Sequence, residues 1–277
     1  IKILTIWAED NDNGMLLNKI CEDYQKNVNP NFTWEYEMVA SDNLQQKIAT
    51  LAASNDLPDL FAYEAGAPLS VLIDSGKVKD ISEAVDEIGT ADYLNSGAVE
   101  LLKGLSGTDD LYDLPLGLNV EGFWYNKALF EQAGCEVPTT WDELKAACEA
   151  LKAYDDSIYP WGIDMTTDEG QAAFAYYTWN NGGGFVDDEG NWTLNSEQNV
   201  EAIQYAIDLV NSGYTNTDPA NDTRYDLQDM FGAGKVAMLI APNSLPTYIA
   251  TGGNEVNYGV ASIPSNTGES VSAGVMD

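Results

Sequence analysis

Carboxylates and amides cluster where two predicted strands end. Residues 9–12 read Glu-Asp-Asn-Asp after one apolar run, and Tyr63 and Glu64 close another. A pair of carboxylates can hydrolyse a glycosidic bond. The candidate carboxylates for that reaction are Glu9, Asp12, Glu64 and Glu121. Carboxylates and amides also hydrogen-bond the hydroxyls of a sugar, while flat aromatic rings stack on its C–H faces. Both kinds of chemistry stay open from these residues alone.

Composition removes several other classes of function. The chain has no histidine, so it has no Ser-His-Asp or Cys-His nucleophile and no histidine-containing zinc site. With 12 basic and 45 acidic residues, its net charge of −33 repels nucleic acid and anionic lipid headgroups. We therefore expect no nucleic-acid partner.

The acidic loop at residues 8–14 invites a calcium interpretation, which its spacing does not support. If Glu9 is the first position of an EF-hand loop, Gly14 fits the sixth position, but Ile20 stands where a bidentate Glu is needed. We interpret the three cysteines as buried free thiols rather than as members of a disulfide or a metal site. No nucleotide-binding motif appears either, and we predict neither a metal nor a cofactor.

Strands and helices are predicted to alternate along the first part of the chain, and these elements must position the residues named above. Residues 1–7, 34–38 and 58–63 predict strands, and two segments with helical spacing lie between them. Crossovers of this length favour a parallel sheet covered by helices, in which ligands bind at the carboxyl ends of the strands. Residues 69–105 predict further helices, broken at Gly76, Gly89 and Gly104.

Residues 114–152 form the segment around which the chain is organised. An extended stretch and the run Trp124-Tyr125-Asn126-Lys127 lead into one helical pattern, which ends at Ala133-Gly134. A second helix is predicted after Thr140, because Thr140 and Glu143 have the spacing of a capping box. This order of motifs, followed by Phe-x-x-Gly-Lys-x-Ala-Met at residues 231–238, resembles the extracellular solute-binding proteins of sugar ABC importers, the maltose-binding-protein-like family.

The resemblance implies a fold and a domain organisation. The expected fold class is α/β, with two lobes of the periplasmic-binding-protein (Venus flytrap) type, each a mainly parallel sheet flanked by helices. Residues 1–117 would form the first lobe, with residues 264–277 returning to it, and residues 118–263 would form the second lobe. Crossings near residues 116–120 and 260–264 would act as the hinge by which the lobes close on a solute.

The resemblance also implies ligand contacts in both lobes. The first lobe would use the loop after its first strand together with an aromatic residue that stacks on sugar, and the second lobe would use a polar crossing residue and an aromatic subsite. The residues at these positions are Glu9, Asn11, Asp12, Tyr63, Glu64, Asn119, Tyr176, Trp179, Asn243 and Ser244. Asn243 and Ser244 fall where relatives often carry Trp, so that subsite is expected to be weak. None of these residues is expected to be catalytic.

Partners and location follow from the same resemblance. The expected ligand is a mono- or oligosaccharide, and the expected partner is the membrane permease of an ABC transporter. The protein would be a monomer outside the cytoplasm, either periplasmic or a membrane-anchored lipoprotein of a Gram-positive cell. Family members normally continue beyond the region around Gly274, whereas this chain stops at Asp277. The resemblance therefore covers only part of a full-length member.

Two other functions stay open. A carboxylate-dependent glycoside hydrolase would need the same kind of carbohydrate site, although no established glycosidase motif is present. A binding protein for a non-sugar solute, such as a peptide, a polyamine or a metal ion, would also suit the acidic loops. Detecting cleaved sugar would identify the hydrolase, and binding of cationic ligands alone would indicate the non-sugar solute.

Overall fold

The computed structural model describes residues 1–63, 67–89, 93–115, 118–167, 169–187 and 189–276. Contacts divide the chain into two compact units, one containing Ile1–Leu118 together with Met276 and the other Asn119–Val275. None of the described helices is long and apolar enough to cross a membrane.

The first unit begins with the predicted alternation of strands and helices. Its elements are β1 (Lys2–Thr5), α1 (Asp12–Asn27), β2 (Glu35–Met38), α2 (Ser41–Ser54) and β3 (Leu60–Phe61). The strands form a parallel sheet in the order β2-β1-β3, with Leu4 opposite both Glu37 and Phe61. The predicted parallel sheet is therefore confirmed. Leu4 and Ile48 are almost fully buried and anchor the core between this sheet and α2.

Three further helices complete the described part of this unit: α3 (Ala67–Asp74), α4 (Ser82–Ile88) and α5 (Ser96–Ser106). Gly76 and Gly89 follow α3 and α4 with positive φ values, as predicted for helix ends. The predicted break at Gly104 is wrong. Helix α5 continues through Gly104 and ends at Gly107, whose φ of 72° allows the backbone to leave the helix.

The second unit contains the rest of the elements. They are β4 (Leu118–Asn126), α6 (Lys127–Ala133), α7 (Trp141–Tyr154), β5 (Tyr159–Gly162), α8 (Gly170–Trp179), α9 (Glu197–Asn211), α10 (Arg224–Gly232), β6 (Val236–Pro242), α11 (Leu245–Thr251), β7 (Tyr258–Ala261) and β8 (Gly274–Met276). The predicted capping box is confirmed: Glu143 N donates to Thr140 Oγ1 at 3.2 Å, and Glu143 Oε2 accepts from Thr140 N at 3.1 Å.

The sheet of the second unit is mixed, so the expectation of a mainly parallel sheet is wrong here. The strand order is β5-β6-β4-β7, and β8 pairs with β4. Strands β5 and β6 are parallel, whereas β4 runs antiparallel to both β6 and β7. This arrangement buries Trp124 of β4 between Leu239 of β6 and Val260 of β7.

Residues 264–275 belong to the second unit and Met276 to the first, whereas we expected all of residues 264–277 to return to the first lobe. The side chain of Asn180, which is fully buried, holds this segment. Asn180 Nδ2 donates to Val271 O at 2.9 Å, and Asn180 Oδ1 accepts from Val271 N at 2.9 Å. Ser265 Oγ also donates to Asn180 O at 3.1 Å. These bonds fix the segment against the end of α8.

Candidate functional site

In the first unit, parallel pairing brings the ends of β1 and β3 to the same edge of the sheet. Ala62 N donates to Leu4 O at 2.9 Å, which keeps the two strands in register up to that edge. Glu9 and Asp12 are exposed in the segment that follows β1, and Tyr63 follows β3. The topology thus gathers these three predicted contacts at one edge. Glu64 lies outside the described residues.

Two of the predicted contacts in this loop also belong to helix α1. Asn11 is its N-cap, and its Oδ1 accepts from Gly14 N at 2.8 Å. Asp12 is the first helical residue, where a carboxylate is favoured by the positive end of the helix. Both residues therefore have a structural role at this edge besides the predicted one.

Tyr36 also reaches this edge. The sequence placed it in the strand predicted for residues 34–38 and did not indicate it as a site residue. Its hydroxyl donates to Trp7 O at 2.9 Å. Burial, and secondarily the charge of Glu9, raise the pKa of Tyr36. Tyr63 is half-buried, packs against the core of this unit and lies edge-on to Phe61, with ring centroids 5.8 Å apart. Part of the Tyr63 ring therefore serves the core.

The second unit contains a pocket of about 60 Å³. Its polar wall consists of Glu121, Asp164, Glu169, Tyr176 and Arg224. These five residues come from four parts of the fold. Glu121 lies near the start of β4, Asp164 follows β5, Glu169 and Tyr176 belong to the cap and body of α8, and Arg224 begins α10. Trp161, Tyr177 and several aliphatic side chains form the apolar wall.

Backbone bonds fix the position of Glu121. Its N–H donates to Ala273 O at 3.1 Å, and Ser272 Oγ donates to its carbonyl oxygen. Strand β6 pairs on the other side, with Pro242 opposite Glu121. The residue is therefore held from both sides of β4.

Arg224 is the only arginine in the sequence, and it points its charge at this pocket. Its Nη1 lies 2.8 Å from Glu169 Oε1. Its Nη2 donates to the Tyr225 hydroxyl at 3.1 Å, and its Cζ lies 4.9 Å from the centre of the Tyr225 ring. These contacts fix the guanidinium beside Glu169.

The electrostatics of the pocket disfavour a second negative charge. Burial, and then repulsion by Glu169, raise the pKa of Glu121 to about 7, although Arg224 partly offsets them. Tyr176 is only 8% exposed, and burial together with Glu121 and Glu169 raises its pKa as well. The carboxyl of Glu121 thus changes its charge near neutral pH.

The predicted contacts Asn119, Asn243 and Ser244 lie beside this pocket rather than in its wall. Asn243 N donates to Val120 O at 3.1 Å, which joins the end of β6 to the start of β4 next to Glu121. Asn243 and Ser244 are exposed, and Asn119 is half-buried. All three residues therefore lie where β4 begins and β6 ends, close to Glu121.

Of the two predicted aromatic contacts on α8, only Tyr176 lines the pocket. Trp179 lies at the last turn of the helix and packs edge-on against Phe185, with ring centroids 6.3 Å apart. The structure therefore separates the two predicted members of an aromatic subsite.

Three residues that line the pocket were not predicted as site residues from the sequence: Asp164, Glu169 and Arg224. Two signals for them existed: Arg224 is the single arginine of an acidic chain, and it follows Thr223, the capping residue of α10. The pairing of Arg224 with Glu169 could not be read from the sequence, because about 55 positions separate them.

The described acidic and cysteine side chains form no group of three or more that could hold a metal ion. Asp164 Oδ2 and Thr166 Oγ1 are buried without a hydrogen-bond partner among the described residues. Carboxylates only accept hydrogen bonds when ionised, so the pocket wall offers acceptors to a ligand that brings donors. A polyhydroxylated molecule has that property.

Comparisons with known proteins identify the family. Residues 8–275 match the family described as bacterial extracellular solute-binding protein. A protein of Brucella abortus (strain 2308) whose name describes it as a binding protein is 29% identical over 251 residues, which are 90% of this chain and 60% of that protein. This chain therefore spans about 60% of the length of such curated relatives.

Solved structures support the same fold. A sugar transporter from Arthrobacter chlorophenolicus A6 with bound laminaribiose matches with a TM-score of 0.78 and 24% identity, covering 99% of this chain and 68% of that chain. An ABC transporter solute-binding protein from Thermotoga lettingae TMO bound with α-D-tagatose matches with a TM-score of 0.77 and 20% identity, covering 100% and 71%. The predicted two-lobe periplasmic-binding-protein fold is confirmed. This chain belongs to the bacterial extracellular solute-binding protein family.

Proposed function

We propose that this protein binds a carbohydrate, most simply an oligosaccharide, and delivers it to the membrane permease of an ABC importer. The observation that carries the proposal is the pocket of the second unit, where Glu121, Glu169 and Arg224 stand beside the ring of Tyr176. Charged groups of this kind hydrogen-bond sugar hydroxyls, and an aromatic ring contacts sugar C–H groups.

The relatives support this choice of solute. The names of the two structural matches describe proteins bound to a disaccharide, laminaribiose, and to a monosaccharide, tagatose. Both kinds of sugar offer several hydroxyl donors to the acceptor-rich wall of the pocket. We therefore propose a carbohydrate as the solute of this chain. We propose neither of these two individual sugars for it.

Family membership also supports the proposed location. We propose that the protein acts outside the cytoplasm, in the periplasm or as a lipoprotein anchored to a Gram-positive cell, and that it works as a monomer without nucleic acid. The net charge of −33 favours repulsion from polyanions.

A glycoside hydrolase is the second candidate, and one observation favours it. Glu121 has a pKa of about 7 beside Glu169, and an acid held protonated near a second carboxylate is what general-acid hydrolysis requires. Against it, Glu169 is engaged by Arg224, and the family consists of binding proteins. We therefore propose that the chain performs no chemistry.

The proposal is tested by thermal unfolding of the protein against a panel of mono- and oligosaccharides. A solute at 100 times its Kd stabilises the folded state by about 2.7 kcal/mol, which gives a clear shift in Tm. After long incubation, chromatography shows whether the sugar is intact. A shift with intact sugar supports the binding protein, whereas cleaved sugar supports the hydrolase.

Matched variants locate the binding site. Tyr176→Phe keeps the ring and removes a hydroxyl, Tyr176→Ala removes both, and Tyr154→Ala changes an exposed tyrosine that does not line the pocket. We expect the shift in Tm to be lost in Tyr176→Ala and kept in Tyr154→Ala. Equal shifts in these two variants would exclude the pocket as the binding site.

A further inference from the structure

The pocket of the second unit carries more negative than positive groups. Glu121, Asp164 and Glu169 line it, and Arg224 is the only cationic side chain among its described lining residues. That guanidinium is already bound to Glu169 at 2.8 Å. One guanidinium therefore faces three carboxylates, and the wall keeps an excess of negative groups after the ion pair has formed.

Among the described residues, the surroundings of Glu121 supply no other cation. The titratable and charged groups facing it are Glu169 and Tyr176 from α8, Arg224 from α10 and Asp164 after β5. Its backbone is bonded to residues 272–273 and faces β6, which contribute no charge there. Ionised Glu121 therefore meets one carboxylate and one guanidinium that is already committed.

A second group in the wall also lacks a donor. Asp164 Oδ1 accepts from Thr166 N at 2.8 Å, but Asp164 Oδ2 is buried with no hydrogen-bond partner among the described residues. A buried carboxylate oxygen without a donor is destabilising, so such atoms usually mark the position of a missing ligand or water.

We propose that the solute carries a protonated amine that binds Glu121, so that the pocket prefers an amino sugar to the corresponding neutral sugar. The inference rests on the proposed carbohydrate function and narrows its substrate class. An ammonium group offers three donors and no acceptor, and it brings the positive charge that the wall lacks. A hydroxyl donates one hydrogen bond and leaves the charge imbalance in place.

The preference should depend on pH in a defined way. Protonation of Glu121 removes the partner of the ammonium, and deprotonation of the amine removes the ligand charge. Because the pKa of Glu121 is about 7, the preference for the amine is expected to be greatest near neutral pH and to fall on both sides.

The test uses matched pairs of sugars that differ only at one group. Isothermal titration calorimetry at pH 5.5, 7 and 8.5 compares glucosamine with glucose, galactosamine with galactose, and the β-1,4-linked glucosamine disaccharide with cellobiose. At pH 7 we expect the amino sugar of at least one pair to bind about tenfold more tightly than its neutral partner. This is the difference expected between a charge-assisted and a neutral hydrogen bond.

Two variants assign the preference to the pocket. Glu121→Gln keeps the shape of the side chain and removes its charge, so the ratio of amine to neutral affinity should fall to about one. Glu131→Gln removes an exposed charge on helix α6 that does not line the pocket, and should leave the ratio unchanged. An amine preference that persists in Glu121→Gln would overturn the assignment.

Failure of this inference can be distinguished from failure of the proposed function. If neutral sugars bind as tightly as their amines in every pair that binds, the carbohydrate function stands and the amine preference is wrong. If no carbohydrate of the pairs or of the wider panel binds, both are wrong. If the amine binds more tightly and Glu121→Gln abolishes the difference, the inference is supported.

Discussion

Arg224 Nη1 lies 2.8 Å from Glu169 Oε1, and Arg224 also lowers the otherwise raised pKa of Glu121 in the same pocket. One guanidinium therefore sets the charge balance around two carboxylates. Arg224 is the only arginine in the chain, so no other guanidinium can take over this role.

Replacing Arg224 by Met should destabilise the second unit. Both partners of the ion pair are partly exposed, at 38% and 27%, so the expected loss in unfolding free energy is about 1 to 3 kcal/mol, between the values for surface and buried pairs. Arg224→Lys keeps a positive charge and should lose less. Urea denaturation measures both, and equal losses would show that the charge contributes little.

The stability of the protein should report the titration of Glu121. Its pKa is raised from 4.5 to about 7, so between these pH values the unfolded chain releases a proton that the folded protein retains. This residue therefore stabilises the fold less as pH rises through that window, by on the order of 3 kcal/mol. The expected advantage of Glu121→Gln over the wild type grows over the same window.

Urea denaturation at pH 4.5, 6, 7 and 8.5 checks this pH dependence, with Glu131→Gln as the matched variant at an exposed site. Comparison of the variants cancels the contribution of titrating groups that do not interact with Glu121. A difference between Glu121→Gln and wild type that stays constant from pH 4.5 to 8.5 would contradict the raised pKa.

Asn180 should hold residues 265–271 against α8. Asn180→Ala removes both bonds to Val271 and the side-chain donor to Tyr176 O, so the N–H and C=O of Val271 lose these partners. The expected loss is about 2 to 4 kcal/mol. Hydrogen exchange at the amide of Val271 should accelerate strongly, whereas Asn191→Ala, in an exposed turn, should leave it protected. Unchanged exchange at Val271 would contradict this role.

Two glycine substitutions should have opposite effects. A Cβ at Gly183 would lie 2.1 Å from Asn199 Oδ1, whose side chain is buried and bonds Gly184 N. Gly183→Ala should therefore lose about 2 to 4 kcal/mol of unfolding free energy. Gly104 lies exposed inside α5 with open space around it, and Gly104→Ala should gain about 0.5 to 1 kcal/mol. Chemical denaturation of both variants checks the pair, and destabilisation by Gly104→Ala would contradict the continuous helix.

Features determined by neighbouring residues were predictable from the sequence. The capping box of Thr140 and Glu143 and the parallel sheet of the first unit were both predicted and confirmed. Their determinants are short-range: a capping box joins two residues three positions apart, and alternating strands and helices of this length favour parallel pairing. The break predicted at Gly104 failed because packing of α5 overrides the weak helix propensity of one glycine.

The sequence by itself limited the possible chemistry and indicated the family. The absence of histidine excluded histidine-dependent catalysis, and the motifs of residues 114–152 and 231–238 carried the resemblance to the family. Only the tertiary structure decided which side chains meet. Glu121 and Arg224 lie about 100 positions apart, and they meet because β4 and α10 both pack against β6. The same pairing made the second sheet mixed, since strand direction depends on long-range contacts that no local pattern encodes.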